Sequence, residues 1–172
     1  MKSVYTDKVP KEMMVSTADK DGWYAWKLVP GTLTADDYNR VEAKFKAVFP
    51  ENFIEWHRRY FFDDGDCSIV RLPHSLPTRP LEEIIKNLDW DIPERLIPLG
   101  FIPFADDGNG IGPLVFDSRN SKDKKDFPIR VYDHEYGGGL AGLSEIIFSS
   151  FEKMLECLTH FLNEAKTRKR FE

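Results

Sequence analysis

The chain has 172 residues, 41% of them hydrophobic and 13% aromatic, including 13 Phe and 4 Trp. A chain of that size and composition builds one sizeable core, which excludes intrinsic disorder over most of its length. Its net charge of −5 argues against a general binder of the nucleic-acid backbone.

The charge is unevenly spread. Lys166 to Glu172 carries +3, leaving −8 on the rest, and residues 82–117 alone hold eight acids against Lys86 and Arg95. Two readings stay open: a solvated surface with a frayed basic end, or an acidic face that meets a basic partner. Cys67 and Cys157 stand ninety residues apart in no metal or redox spacing, so two free thiols are expected. The first twenty residues hold no apolar run longer than Met13-Met14-Val15, and no stretch elsewhere reaches membrane-spanning length. The expectation is a cytoplasmic protein with no signal peptide, no membrane association and no nucleic-acid partner.

In chain order, residues 1–22 are polar and aperiodic and read as an arm or loosely packed extension. Gly22 to Pro30 is aromatic and bounded by Gly and Pro, a short strand or extended segment. Thr34 caps a helix with Asp36 and Asp37 in its first turn and a stripe of Tyr38, Val41, Phe45, Val48 and Phe49. Pro50 ends that helix and opens a second, which buries Phe53, Trp56 or His57, and Tyr60 with Phe61. Asp63 to Asp66 is a turn, and Cys67 to Leu72 a strand closed by Pro73. Pro80 starts a short helix carrying Leu81, Ile84, Ile85 and Leu88. Leu96 to Phe104 is apolar, but Pro98, Gly100 and Pro103 restrict it to an extended segment with edge pairing at most.

Asp106 to Gly110 is a turn in which Gly108 or Gly110 takes positive φ. Strands follow at Leu114–Phe116 and 128–134, separated by an exposed charged loop from Asn120 to Asp126. After the glycines at 137–139, an extended stretch over 143–148 leads to the last helix. There Ser149 caps, Glu152 completes a capping box, and Phe151, Met154, Leu155, Leu158, Phe161, Leu162 and Ala165 form the stripe. The core is led by Phe45, Phe53, Trp56, Phe151, Leu155 and Leu158.

Several catalytic fingerprints begin and fail. Gly137, Gly139 and Gly142 spell GxGxxG, yet no helix starts there to aim its amides at a pyrophosphate. His134-Glu135 opens like a zinc-protease helix, but position 138 is glycine. Gly142-Leu143-Ser144 opens like a nucleophile elbow, but Ile146 stands where the sharp turn needs glycine. The Asp106 to Gly110 loop has calcium-like oxygens without the completing glutamate. His57 and His160 fall on helices as structural residues. His134, between Asp133 and Glu135 at a strand end, is the one histidine placed for proton transfer, with no nucleophile or second base beside it.

Five pieces in order carry a family resemblance: the capped helix from Thr34; Phe49-Pro50 with the helix ENFIEWHRRYF and its acidic glycine turn; Ile102-Pro103-Phe104-Ala105-Asp106-Asp107-Gly108-Asn109-Gly110; Val131-Tyr132-Asp133-His134-Glu135; and Ser149-Ser150-Phe151-Glu152. Together they resemble the SUKH superfamily, which includes the Smi/Knr cell-wall-assembly regulators of fungi and many bacterial proteins. Ile111-Gly112-Pro113 departs from the family pattern by delaying the next strand.

The resemblance implies an α+β fold: a largely antiparallel sheet with helices packed around it. It divides a single domain, 1–172, into an N-terminal extension (1–32), a Smi/Knr-like core (33–165) and a basic tail (166–172). It also implies a non-catalytic protein-binding module without cofactor or metal, of the immunity type that neutralises a toxin such as a nuclease, or one that binds a signalling partner. The expected partner-binding residues are Asp106, Asp107, Asn109, Asp133, His134 and Glu135. The alternative is a small-ligand or metal-dependent enzyme, in which the Asp106/Asp107 and Asp133/His134/Glu135 turns converge at one sheet edge and a metal bridges them.

Overall fold

The computed structural model describes residues 2–4, 9–119, 123–136 and 140–168. The glycines at 137–139, Asn120 at the start of the charged loop, and Lys169 to Glu172 of the basic tail lie outside these. The described strands are β1 (Lys2–Val4), β2 (Trp23–Ala25), β3 (Val29–Pro30), β4 (Tyr60–Phe61), β5 (Val70–Arg71), β6 (Phe101–Asp107), β7 (Pro113–Asp117) and β8 (Ile129–Val131). The α-helices are α1 (Ala35–Phe45), α2 (Glu51–Arg59), α3 (Glu82–Leu88), α4 (Asp91–Leu96) and α5 (Phe151–Arg168). Strands β5-β6-β7-β8 form an antiparallel sheet in that order, and β1-β2 and β3-β4 are separate antiparallel pairs. The fold is therefore α+β with antiparallel sheets and surrounding helices.

Both faces of the central sheet are covered, which is why β6 and β7 are apolar without a polar alternation. On one face Ile102, Phe104, Leu114, Phe116 and Ile129 meet Tyr38, Phe53, Ile84, Phe151 and Leu158. On the other, Phe101, Val115 and Tyr132 meet Ile92 and Leu96 of α4. Phe53 sits at the centre of the first cluster, with the rings of Phe49, Trp56, Phe104, Phe116 and Phe151 around it. Of the six expected core leaders, Phe53, Phe151 and Leu158 are buried, while Phe45, Trp56 and Leu155 pack against the cluster from partly exposed positions.

Several local expectations are corrected. The first helix stops at Phe45, because Lys46 adopts the left-handed conformation (φ 55°) and closes it four residues before Pro50. Its start is as expected: the Asp37 carboxylate accepts from the Thr34 amide at 2.9 Å and from the Thr34 hydroxyl at 2.8 Å. In α2 the fully buried member of the pair is His57. The helix ends at Arg59, so Tyr60 falls on β4 and faces outward.

The segment from Leu96 to Phe104 is the largest departure. Its first residues end α4 and a 3-10 turn, and its last begin the longest strand of the sheet rather than an edge. Pro103 is tolerated because β5 pairs only with Asp106 and Asp107, leaving that side of Pro103 unladdered. Asn87 of α3 donates to the Phe104 carbonyl at 2.8 Å on that stretch. A register shift between Pro103 and Ala105 turns Phe104 onto the ring of Phe116.

The N-terminal segment is no loose arm. Val9, Met13, Tyr24 and Trp26 are buried with Phe61, Phe62 and Leu76 in a cluster of their own, bordered by Leu33 and Trp56. No described helix is long and apolar enough to cross a membrane.

The charged loop also does more than face solvent. The carbonyls of Lys124 and Lys125 accept from the first amides of α2, Glu51 (2.8 Å) and Asn52 (3.0 Å). The carboxylate of Asp126 accepts from the amides of Phe151 (2.7 Å) and Glu152 (3.3 Å), and from the Asn52 side chain (2.8 Å). Residues 124–126 thus satisfy the open N-termini of two helices at once. Ser150, not Ser149, adds the local bond, its hydroxyl accepting from the Lys153 amide at 3.1 Å.

Candidate protein-interaction site

The β6–β7 hairpin closes through Asp107. Its carboxylate accepts from the amides of Asn109 (2.9 Å) and Ile111 (3.2 Å), an arrangement that aspartate favours in turns. Gly110 takes the expected positive φ of 80°. Gly108 is constrained differently: a Cβ there would lie 2.2 Å from the Ser68 carbonyl oxygen.

After β8 the chain makes a second turn. Asp133 accepts from the Glu135 amide at 3.0 Å, and residues His134–Tyr136 form one 3-10 turn beside another at Leu140–Gly142. The two turns are locked together through backbone. Ile111 O accepts from the His134 amide at 3.3 Å and from its Nδ1 at 2.5 Å, and since a carbonyl only accepts, Nδ1 carries the proton. The Asp133 amide donates to Gly142 O at 2.8 Å. Glycine is required at both joints: a Cβ on Gly112 would stand 2.2 Å from Tyr132 O, and one on Gly142 2.5 Å from Asp133 O.

Five of the six residues expected to form the site therefore share this end of the sheet: Asp107, Asn109, Asp133, His134 and Glu135. Asp106 does not join them. The strand alternation turns it to the opposite side, where it lines a pocket of about 290 Å³ with Asp64, Asp66, His74 and Glu83. Desolvation raises its carboxyl above the usual range, with Arg71 opposing and Glu83 adding to the rise. Among the described residues, no three His, Cys, Asp or Glu side chains are grouped so as to hold a metal ion. The metal-bridged convergence of the two turns is thus not supported by their geometry.

The remaining near-motifs resolve into structure. Ser144 accepts from the Val131 amide at 3.0 Å and donates to Glu145 O, within a segment that pairs along the outer side of β8. Gly137 and Gly139 lie outside the described residues, and the helix after them begins only at Phe151. His57 is sealed in the core with Nδ1 2.7 Å from the Tyr38 hydroxyl, and burial drives its pKa down to about 3. Asp117 is buried beside Arg119 and Arg130, whose guanidinium groups, Arg119 foremost, hold its carboxyl below the usual range. Cys67 and Cys157 are free thiols.

What the sequence reading missed is apolar. Tyr136 is 66% exposed, Leu140 53% and Ile111 44%, on the two locked turns and the 3-10 turn beside them. The signal was their presence inside glycine-rich, polar turns, where apolar side chains have no local core to join.

The described architecture is that of an antiparallel sheet wrapped by helices, with its acidic hairpin and the turn after β8 joined at one end. The model of the SMI1 / KNR4 family (SUKH-1) matches residues 32–157, and the chain belongs to that family. No curated protein matches it.

Proposed function

We propose that this chain is a non-catalytic protein-binding module of the immunity type, which binds and neutralises a toxin, and that a nuclease is the class of toxin its charge suits best. The observation that carries the reading is the rigid acidic end of the sheet. Asp107, Asp133 and Glu135 stand on turns held by backbone bonds, so they meet a partner without being reordered. A nuclease presents a basic surface to nucleic acid, and a complementary acidic face raises the rate of encounter. Membership of the SMI1 / KNR4 family fits an interaction module.

The test is kinetic. The chain is titrated against the product of a toxin gene encoded beside its own, and association and dissociation rates are measured across a salt series. Salt should slow association more than it speeds dissociation. Glu135→Lys should reduce the association rate. An association rate indifferent to salt and to Glu135→Lys would overturn the acidic-face reading.

A further inference from the structure

We propose that the centre of the binding face is apolar, formed by Tyr136, Ile111 and Leu140, and that its occupant is a protein surface with an apolar contact ringed by Lys and Arg. The inference rests on the reading above and assigns the affinity to residues that reading does not use.

Three observations meet here. The three side chains are among the more exposed large apolar groups of the described residues, and they lie on backbone segments bonded to one another through Ile111, Asp133 and Gly142. Ile146 and Ile147 are also exposed, farther along the segment that pairs with the outer side of β8. Neither 96–118 nor 131–148 contains a single Lys or Arg, whereas Asp107, Asp133, Glu135 and Glu145 all fall within them. The charged side chains that these two segments themselves carry are therefore of one sign. Like charge opposes a second copy of this chain and opposes nucleic acid, while it attracts a basic protein surface.

The roles divide by physics. Rim carboxylates that stay in contact with water act on the encounter and contribute little to the final complex. A tyrosine on a rigid turn offers large contact area with two rotatable bonds, and such residues dominate interface energetics. Because backbone bonds from His134 to Ile111 and from Asp133 to Gly142 hold the turns together, little ordering is lost when a partner covers them.

The experiment selects displayed random peptides on the full chain. It then measures the affinity of the enriched peptides for wild type, Tyr136→Ala, Leu140→Ser and Glu135→Lys, alongside each variant's melting temperature. Enriched peptides should combine Lys or Arg with apolar residues. Tyr136→Ala should weaken them by about tenfold or more with the melting temperature unchanged, Leu140→Ser should act in the same direction, and Glu135→Lys should weaken them less. Purely basic peptides, sensitive to Glu135→Lys and indifferent to Tyr136→Ala, would overturn the apolar centre while leaving the acidic face standing. Peptides indifferent to all three variants, or no enrichment, would overturn both.

Discussion

Two aspartate-bearing loops of this protein use the same chemistry to opposite ends. At 124–126, Asp126 reaches across the fold: it accepts from the amides of Phe151 and Glu152 and from Asn52, joining the starts of α5 and α2. At the far end of the sheet, Asp107 and Asp133 accept only from amides two to four residues ahead, and Glu135 beside them is exposed. A carboxylate that closes long-range bonds is committed to stability. One that only shapes its own turn leaves its charge at the surface, where a partner can meet it. Charge in a loop therefore says little by itself; the span of the bonds it makes decides its role.

The largest expected effect is in the core that Asp126 organises. Phe151→Ala should cost about 3–5 kcal/mol, because Phe151 is buried against Phe53, Trp56, Phe104 and Phe116. An unchanged denaturation midpoint would remove Phe151 from the centre of the fold. Asp126→Ala should follow with about 1–2 kcal/mol for the lost cap, measured by the same denaturation. If it were neutral, the contrast between the two loops would collapse.

Gly108→Val should cost about 1–3 kcal/mol, from overpacking against the Ser68 carbonyl. A fully stable Gly108→Val would show that the hairpin is less fixed than its backbone indicates.

Acid sharpens the comparison from another side. The folded pKa of His57 lies near 3, below the 6.5 of the free imidazole, so its stabilisation is complete above pH 6.5. Between pH 6.5 and about 4 the unfolded chain binds a proton that the folded chain refuses. Stability should fall there by up to about 1.4 kcal/mol per pH unit. Asp117, whose folded pKa is depressed, adds its own loss only as pH falls below 3.8. A flat stability profile between pH 6.5 and 4 would contradict the buried neutral imidazole.

Much of the fold was legible because its signals are local. The Thr34–Asp37 start, the aspartate–glycine turn and the stripe of α5 each lie within a few residues. The misses come from distant partners. The Asp126 cap spans twenty-five residues, and no spacing near Ser149 announces it. Helix α4 falls in a stretch, 89–95, where the sequence reading named no element; its Pro93 is harmless at the third helical position, where the missing N–H would have had no helical partner. Pro103 made a central strand read as an edge, since only the tertiary arrangement reveals that β5 stops short of it. Of the six residues expected at the candidate site, five lie on the two joined turns, and Asp106 lies apart from them because the pleat sends neighbouring side chains to opposite faces.

The smallest expected stability effect belongs to the acidic end. Asp107→Asn keeps an acceptor for the amides of Asn109 and Ile111 while removing the charge, so it should leave the turn intact. Glu135→Lys should likewise leave the melting temperature nearly unchanged. The most direct measurement compares Asp107→Asn and Glu135→Lys with Asp126→Ala, recording association rate with the proposed toxin partner and melting temperature on each. The account predicts that the first two lose association rate at constant stability, and that Asp126→Ala loses stability while its folded fraction associates normally. Lost stability with intact association at Asp107 and Glu135 would contradict it.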